Sequence, residues 1–269
     1  MKRLYLALFL GMTLVLSSCG AGNQAAAGGR SSPTPSPAAE LSEESVPAAT
    51  QPAENQAQKV AQTDSAEYTI ERQDRSVANK DGSTALSRYY DLVQLTGDTP
   101  EIQAINDSLN SHCEEFFADN SGNLPPEKRA DDLWLNTMDA AVTQNGDGLL
   151  SVCLTWIWHM GGVANTNYLG YTYDLATGEE LGLAELTSQD PDTLATILRE
   201  IVKAYMAGHP EVDWWDDAAD IVDSRSLEDM MFWVDSGEIV LSFSTYDLSP
   251  GAYGPAVIPT GVMAEHGIN

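Results

Sequence analysis

Asn145-Gly146-Asp147-Gly148-Leu149-Leu150-Ser151-Val152-Cys153-Leu154-Thr155-Trp156-Ile157-Trp158-His159 is the stretch whose reading decides the fold. Asn-Gly-Asp-Gly is hairpin chemistry, because these residues reach positive φ at little cost. The run after it alternates. Leu150, Val152, Leu154, Trp156 and Trp158 share one face; Ser151, Cys153, Thr155 and Ile157 share the other. Only the first face is strongly apolar, so the expectation is a hairpin from about Trp134 to His159 in an antiparallel sheet covered on one side.

Strands continue on both sides. Gly161-Gly162 interrupts the chain, then Leu169, Tyr171, Tyr173 and Leu175 alternate, and Ala176-Thr177-Gly178 turns back into Leu181 and Leu183. Upstream, Tyr68 to Val77 and Leu86 to Leu95 read as strands joined by Ala78-Asn79-Lys80-Asp81-Gly82. Downstream, Met231 to Val234, a Ser236-Gly237 turn, and Ile239, Leu241 and Phe243 make a further hairpin, with a last short strand near Ala256 to Ile258.

Two helices stand out. Thr99 suits the N-cap of one and Pro100 its first turn; Ile102, Ile105, Leu109, Cys113 and Phe116 form its apolar stripe, and Asn120 to Pro126 ends it. Asp190 caps the other ahead of Pro191; Leu194, Ile197, Leu198, Ile201, Val202 and Tyr205 form its stripe, and Gly208 and Pro210 stop it. The pattern predicts an α+β fold: antiparallel sheets with helices packed on one face, in two consecutive subdomains, 65–145 and 146–269.

The chain opens with Lys2-Arg3, an apolar run from Leu4 to Leu16, and Leu16-Ser17-Ser18-Cys19. This is the pattern of a bacterial lipoprotein signal: residues 1–18 are removed and Cys19 is acylated, which places the protein on the extracytoplasmic face of a membrane, held by lipid. Residues 19–64, rich in Ala, Gly, Pro and Gln, lack the apolar surface to offset their ordering entropy and read as a disordered tether. Cys113 and Cys153 then remain, either as one disulfide or as two buried thiols.

The full chain has net charge −27, with 13 basic and 40 acidic residues. Removing the signal, which holds two of the basic residues and no acidic one, leaves −29. Such charge disfavours nucleic acid and anionic lipid surfaces and favours basic proteins or cations.

Enzyme motifs are missing: no Gly-x-Ser-x-Gly elbow, P-loop, dinucleotide fingerprint, His-Glu-x-x-His or paired Cys-x-x-Cys occurs, and His112, His159, His209 and His266 are scattered. No cofactor, metal site or catalytic residue is expected. The acidic run Asp213, Asp216, Asp217, Asp220 and Asp223 lacks the alternation and closing Glu of a calcium loop and reads as a solvated face. Trp214 and Trp215 within it point in different directions, one to core and one to a contact surface.

From Asp147 to Met263 the chain carries Gly148-Leu149-Leu150-Ser151, the Gly161-Gly162 break, Tyr171-Thr172-Tyr173-Asp174-Leu175-Ala176-Thr177-Gly178-Glu179, Leu181-Gly182-Leu183-Ala184-Glu185-Leu186, Phe243-Ser244-Thr245-Tyr246-Asp247-Leu248-Ser249-Pro250, Tyr253-Gly254 and Val257-Ile258-Pro259. In this order they resemble the bacterial envelope family called domain of unknown function 3298. The preceding piece, about Glu67 to Asn145, resembles more weakly the partner domain of unknown function 4163. The resemblance implies a non-catalytic extracytoplasmic module, a kind found in the outer part of a lysozyme-binding anti-sigma factor and beside certain cell-wall deacetylases. Val163-Ala164 stands where members often have Ala-His after the glycines.

The expectation is a surface module for a basic partner such as lysozyme or another cell-wall-associated protein, with Tyr246, Pro250, Tyr253, Trp214 and Trp215 as contact residues. The alternatives are a peptidoglycan or cell-wall sugar binder and a hydrolase with a dispersed site.

Overall fold

The computed structural model describes residues 65–119, 134–159 and 162–266. The signal, Cys19, the tether and the Asn120 to Pro126 stop lie outside the described residues. In chain order the elements are β1 (Tyr68–Asp74), β2 (Val77–Ala78), β3 (Thr84–Leu95), α1 (Pro100–Asp119), β4 (Trp134–Gly146), β5 (Leu149–His159), β6 (Asn165–Asp174), α2 (Pro191–Gly208), α3 (Ala218–Ser224), β7 (Met231–Asp235), β8 (Glu238–Phe243) and β9 (Ala256–Met263). The architecture is α+β, as the alternation of hairpins and capped helices predicts. The large sheet runs β1-β3-β4-β5-β6, with β2 paired to β3; the small sheet runs β7-β8-β9.

The helix signals act as read. Thr99 Oγ1 accepts from the Ile102 N–H at 3.3 Å, and Asp190 accepts from the Thr193 N–H at 3.0 Å. The stripe of α1 buries Ile105, Leu109, Cys113 and Phe117; Phe116 is only half-buried and meets Trp156 edge-on at 4.7 Å. The short helix α3 was not read from the acidic segment that contains it. The expected return strand at Leu181 and Leu183 is a single bridge, Tyr173 to Glu180, followed by a 3-10 turn at Leu183–Glu185.

One pairing departs from an all-antiparallel sheet. β3 and β4 are parallel, Leu86 opposite Trp134 and Tyr90 opposite Met138. Parallel neighbours need a crossover, and α1 supplies it: twenty helical residues span about 30 Å, enough to return the chain to the end where β3 began. The expected boundary at Asn145 falls in the hairpin between β4 and β5, which pair from Leu135 opposite His159 to Gly146 opposite Leu149. Segments 65–145 and 146–269 therefore share one sheet.

The larger correction concerns β5, which is covered on both faces. Leu150, Val152 and Leu154 pack under α1 with Tyr90, Ile105, Leu109 and Met138. On the reverse, Cys153 packs against Trp233 and Val240 of the small sheet. The small sheet's other face holds Val234, Ile239 and Leu241 against Leu194, Leu198 and Val202 of α2 and Val222 of α3. Cys113 and Cys153 thus occupy cores on opposite faces of one sheet. Both are free thiols, and no disulfide joins them. Burial pushes each thiol up to about 12.

Small residues make the sheet-to-sheet contact. Gly170 on β6 faces β7 so closely that a Cβ there would collide with the Phe232 carbonyl. Among the described residues strand β7 is an edge, with β8 its only neighbour in the sheet. Side chains of the large sheet satisfy its backbone instead. Ser151 Oγ accepts from the Val234 N–H at 2.9 Å, and Thr143 Oγ1 donates to the Val234 carbonyl at 2.6 Å. Beyond them, the Gly237 N–H donates to Gln144 Oε1 at 3.0 Å.

Gly170→Ala forces backbone apart at a packed interface and is expected to cost about 3 kcal/mol, a fall in Tm of roughly 6–12 °C; Ser151→Ala leaves a buried N–H unmet and costs about 1–3 kcal/mol. Calorimetric melts check both, and parent-like melting of Gly170→Ala contradicts the close approach. Cys113 and Cys153 are expected to resist Ellman's reagent at pH 8 in the folded protein and both to react in urea without reductant; rapid labelling of the native state contradicts their burial.

Candidate functional site

The connection from β8 to β9 carries the sequence-predicted loop residues, and three neighbours hold it. Thr245 hangs from the start of β6, its N–H donating to Asn167 Oδ1 at 2.7 Å and its hydroxyl to the Thr166 carbonyl at 2.6 Å. Asp247 accepts from the Ser244 N–H at 3.1 Å and pairs with Arg225 at 2.9 Å. The Arg225 carbonyl in turn accepts from Arg199 of α2 at 2.6 and 3.2 Å. Leu248 is buried in the core beneath α2.

Between these anchors Tyr246 adopts φ +76°, a left-handed conformation that bulky residues rarely take. Such a conformation costs of order 1–3 kcal/mol and persists where its surroundings over-determine it, as the Thr245 and Asp247 bonds do here. Its ring lies over Gly251, where any Cβ would collide with it. Pro250 precedes the 3-10 turn Gly251–Tyr253, and its carbonyl accepts from the Tyr253 N–H at 3.0 Å.

The second aromatic pair divides. Trp214 donates its Nε1–H to the Met206 and His209 carbonyls, at 3.0 and 3.1 Å, and meets Tyr205 edge-on. These carbonyls close the C-terminal end of α2, so Trp214 braces the helix end. Trp215 turns to the loop. Its backbone N–H donates to the Leu248 carbonyl at 2.9 Å, and its Nε1–H to the Tyr246 carbonyl at 3.3 Å.

The fold therefore joins Trp215, 40% exposed, to the loop of Tyr246, 52% exposed, and Tyr253, 47% exposed. Pro250 is half-buried and shapes the turn. Asp213, Asp216, Asp217, Asp220 and Asp223 are all exposed, and Asp213, Asp216 and Asp217 flank Trp215 in the chain. Asp223 is held by Lys203 at 3.0 Å. Among the described residues no group of three His, Cys, Asp or Glu side chains is placed to hold a metal ion. Sequence reading missed Arg225, Asn167 and Thr166, which place the loop; their partners are distant in the chain, and only Asp247, inside a quoted motif, carried any signal.

Three of the histidines, His112, His209 and His266, sit apart with different partners. His209 Nδ1 lies 2.8 Å from the Tyr205 carbonyl, and His266 pairs with Asp174 at 3.1 Å. His112 stacks on Tyr171 with 4.1 Å between ring centres and meets Glu180 at 2.7 Å. Ser108 donates to the same Glu180 oxygen at 3.3 Å. That order sets the carboxylate between hydroxyl and imidazole, whereas nucleophile activation needs the imidazole against the hydroxyl.

Comparison with known proteins bears on the fold. The chain is similar to a DUF3298 family protein from Pseudomonas aeruginosa PAO1, with a TM-score of 0.52 and 14% identity over 74% of this chain and 91% of that one. It is also similar to a DUF3298 family member from Bacteroides fragilis NCTC 9343, with a TM-score of 0.48 at the same identity and coverage. No family model and no curated protein matches. The Pseudomonas likeness shows a DUF3298-like fold, and it covers more of the chain than the segment bearing the sequence motifs.

Removing the Arg225 side chain tests the loop's anchoring. Arg225→Ala is expected to lower stability by about 1 kcal/mol or less, since the pair is partly exposed. The Trp215 amide should lose hydrogen-exchange protection because its acceptor, the Leu248 carbonyl, lies in the released loop. Unchanged protection contradicts this role.

Proposed function

We propose that this protein is an extracytoplasmic lipoprotein, anchored through a lipidated Cys19, whose folded part is a non-catalytic module that binds a basic protein of the cell envelope or its surroundings, with lysozyme as the first candidate. The observation that carries the reading is the joining of Trp215 to the loop of Tyr246 and Tyr253, all exposed, with exposed Asp213, Asp216 and Asp217 flanking Trp215 in the chain. Aromatic side chains on a rigid frame offer large contact area at low entropic cost, and a field of like charge steers an oppositely charged partner. The strain at Tyr246 supports it, because left-handed backbone at a bulky exposed residue is more often kept for contact than for stability. Among the described residues no helix is long and apolar enough to cross a membrane.

Surface-immobilised protein titrated with lysozyme tests the partner. Binding is expected to weaken as salt rises, and Tyr246→Ala together with Trp215→Ala should weaken it by tenfold or more. Absence of binding at low salt overturns the partner, and unaffected binding by the double variant overturns the surface. Fractionation tests the anchor: Cys19→Ser should leave the membrane fraction for the soluble one, and a variant that stays with the membrane overturns lipidation.

A further inference from the structure

Arg72 shows how this protein holds a guanidinium. The group lies 3.7 Å from the centre of the Tyr89 ring and reaches two carboxylates, Asp91 at 2.8 Å and Asp139 at 3.0 Å. Arg225 repeats the pattern more loosely, bonded to Asp247 at 2.9 Å with the centre of the Phe243 ring 5.9 Å away. A guanidinium is planar, weakly hydrated and always charged, so an aromatic face and a carboxylate together satisfy both its flat surface and its N–H edge.

The rim of Trp215, Tyr246 and Tyr253 offers the same two kinds of group, open to solvent. Among the described residues, guanidinium groups lie over Tyr89, Tyr90, Phe117 and Phe243, and over none of these three exposed rings. The Trp215 indole is fixed at the loop because its Nε1–H donates to the Tyr246 carbonyl at 3.3 Å, which leaves its ring faces as the part available to a partner. Asp213, Asp216 and Asp217 are exposed within two residues of Trp215. Consecutive Cα atoms stand about 3.8 Å apart, so three carboxylates share the immediate surroundings of the indole. Among the described residues no basic side chain pairs with any of the three; Lys203 is taken by Glu200 and Asp223, and Arg225 by Asp247.

We propose that the rim holds an arginine side chain of the protein partner, its guanidinium laid on the Trp215 ring and paired with the carboxylates beside it. The inference rests on the protein-binding reading above and names the group that the surface recognises. The alternatives fit less of the surface. A lysine ammonium is a compact, strongly hydrated charge that gains from the carboxylates but cannot stack on the ring. An apolar side chain gains from the ring and leaves the carboxylates without a counter-charge. An anion is repelled by the chain's net charge of −27.

Three blocked pentapeptides test it by heteronuclear NMR on the full protein; they are identical except that two positions carry arginine, lysine or citrulline. The arginine peptide is expected to shift the Trp215 indole N–H and the Tyr246 amide saturably. The lysine peptide should bind about threefold more weakly, and the citrulline peptide, which keeps the shape and loses the charge, about tenfold more weakly. Trp215→Leu should weaken arginine binding about threefold or more, and so should Asp216→Asn combined with Asp217→Asn. If Trp215→Leu does not fold, the aspartate pair decides; both residues are exposed, and the Asp217 side chain makes no capping bond to α3. Three results overturn the proposal: equal binding of the arginine and lysine peptides, which marks plain charge attraction; arginine binding that the folded variants retain in full; or no shift at Trp215 up to about 10 mM peptide. Arginine binding without lysozyme binding keeps this subsite and removes lysozyme alone, whereas lysozyme binding with no arginine response at Trp215 removes the subsite and keeps the surface.

Discussion

The contact between the two sheets is the constraint on which the rest of the structure depends. A three-stranded sheet with its edge strand exposed invites non-specific pairing and is marginal alone. Here the edge, β7, is taken up by hydroxyls of the large sheet: Ser151 receives the Val234 N–H, and Thr143 meets its carbonyl. Hydroxyls can do this only if the backbones come close, and Gly170 provides the space. Strand β5 then becomes the centre of a layered stack, with α1 on one side and the small sheet and its helices on the other.

The docking also places the surface proposed for binding. The rim loop leaves β8, but Thr245 fastens it to β6 of the other sheet, and Asp247 fastens it through Arg225 to α2. A shift of the small sheet by an ångström or two would break the Thr245 bonds and release the strain at Tyr246. The aromatic surface is thus a product of the sheet contact, and its rigidity has the same source as the core's.

Much of this was legible in the residues. Cap and proline placed both long helices and turn chemistry placed the hairpins, whereas the joining of Trp215 to the Tyr246 loop left no mark in the sequence, which offered two separate aromatic groups. The reverse face of β5 was misread for a physical reason. Ser151, Cys153 and the neighbouring Gly170 look like a solvent face because they are small and weakly apolar, yet they are small so that another backbone can approach. Alternation reports side-chain polarity and does not distinguish water from a docked sheet edge. The parallel step from β3 to β4 left no mark because a crossover helix looks like any amphipathic helix. Trp214 and Trp215 could be divided into two directions by spacing but not assigned, since the carbonyls that claim Trp214 are defined only once α2 ends. The separation of Cys113 from Cys153 follows from which face of one sheet each occupies, a fact fixed by register.

Native-state hydrogen exchange at the Val234 amide tests the sheet contact most directly. The structure predicts that this amide, held by a Ser151 side chain across the interface, exchanges only through global unfolding, with the same free energy as the buried amides of β5. Exchange of Val234 through a cheaper local opening, while β5 stays protected, would show that the small sheet separates from the large one and would contradict the account.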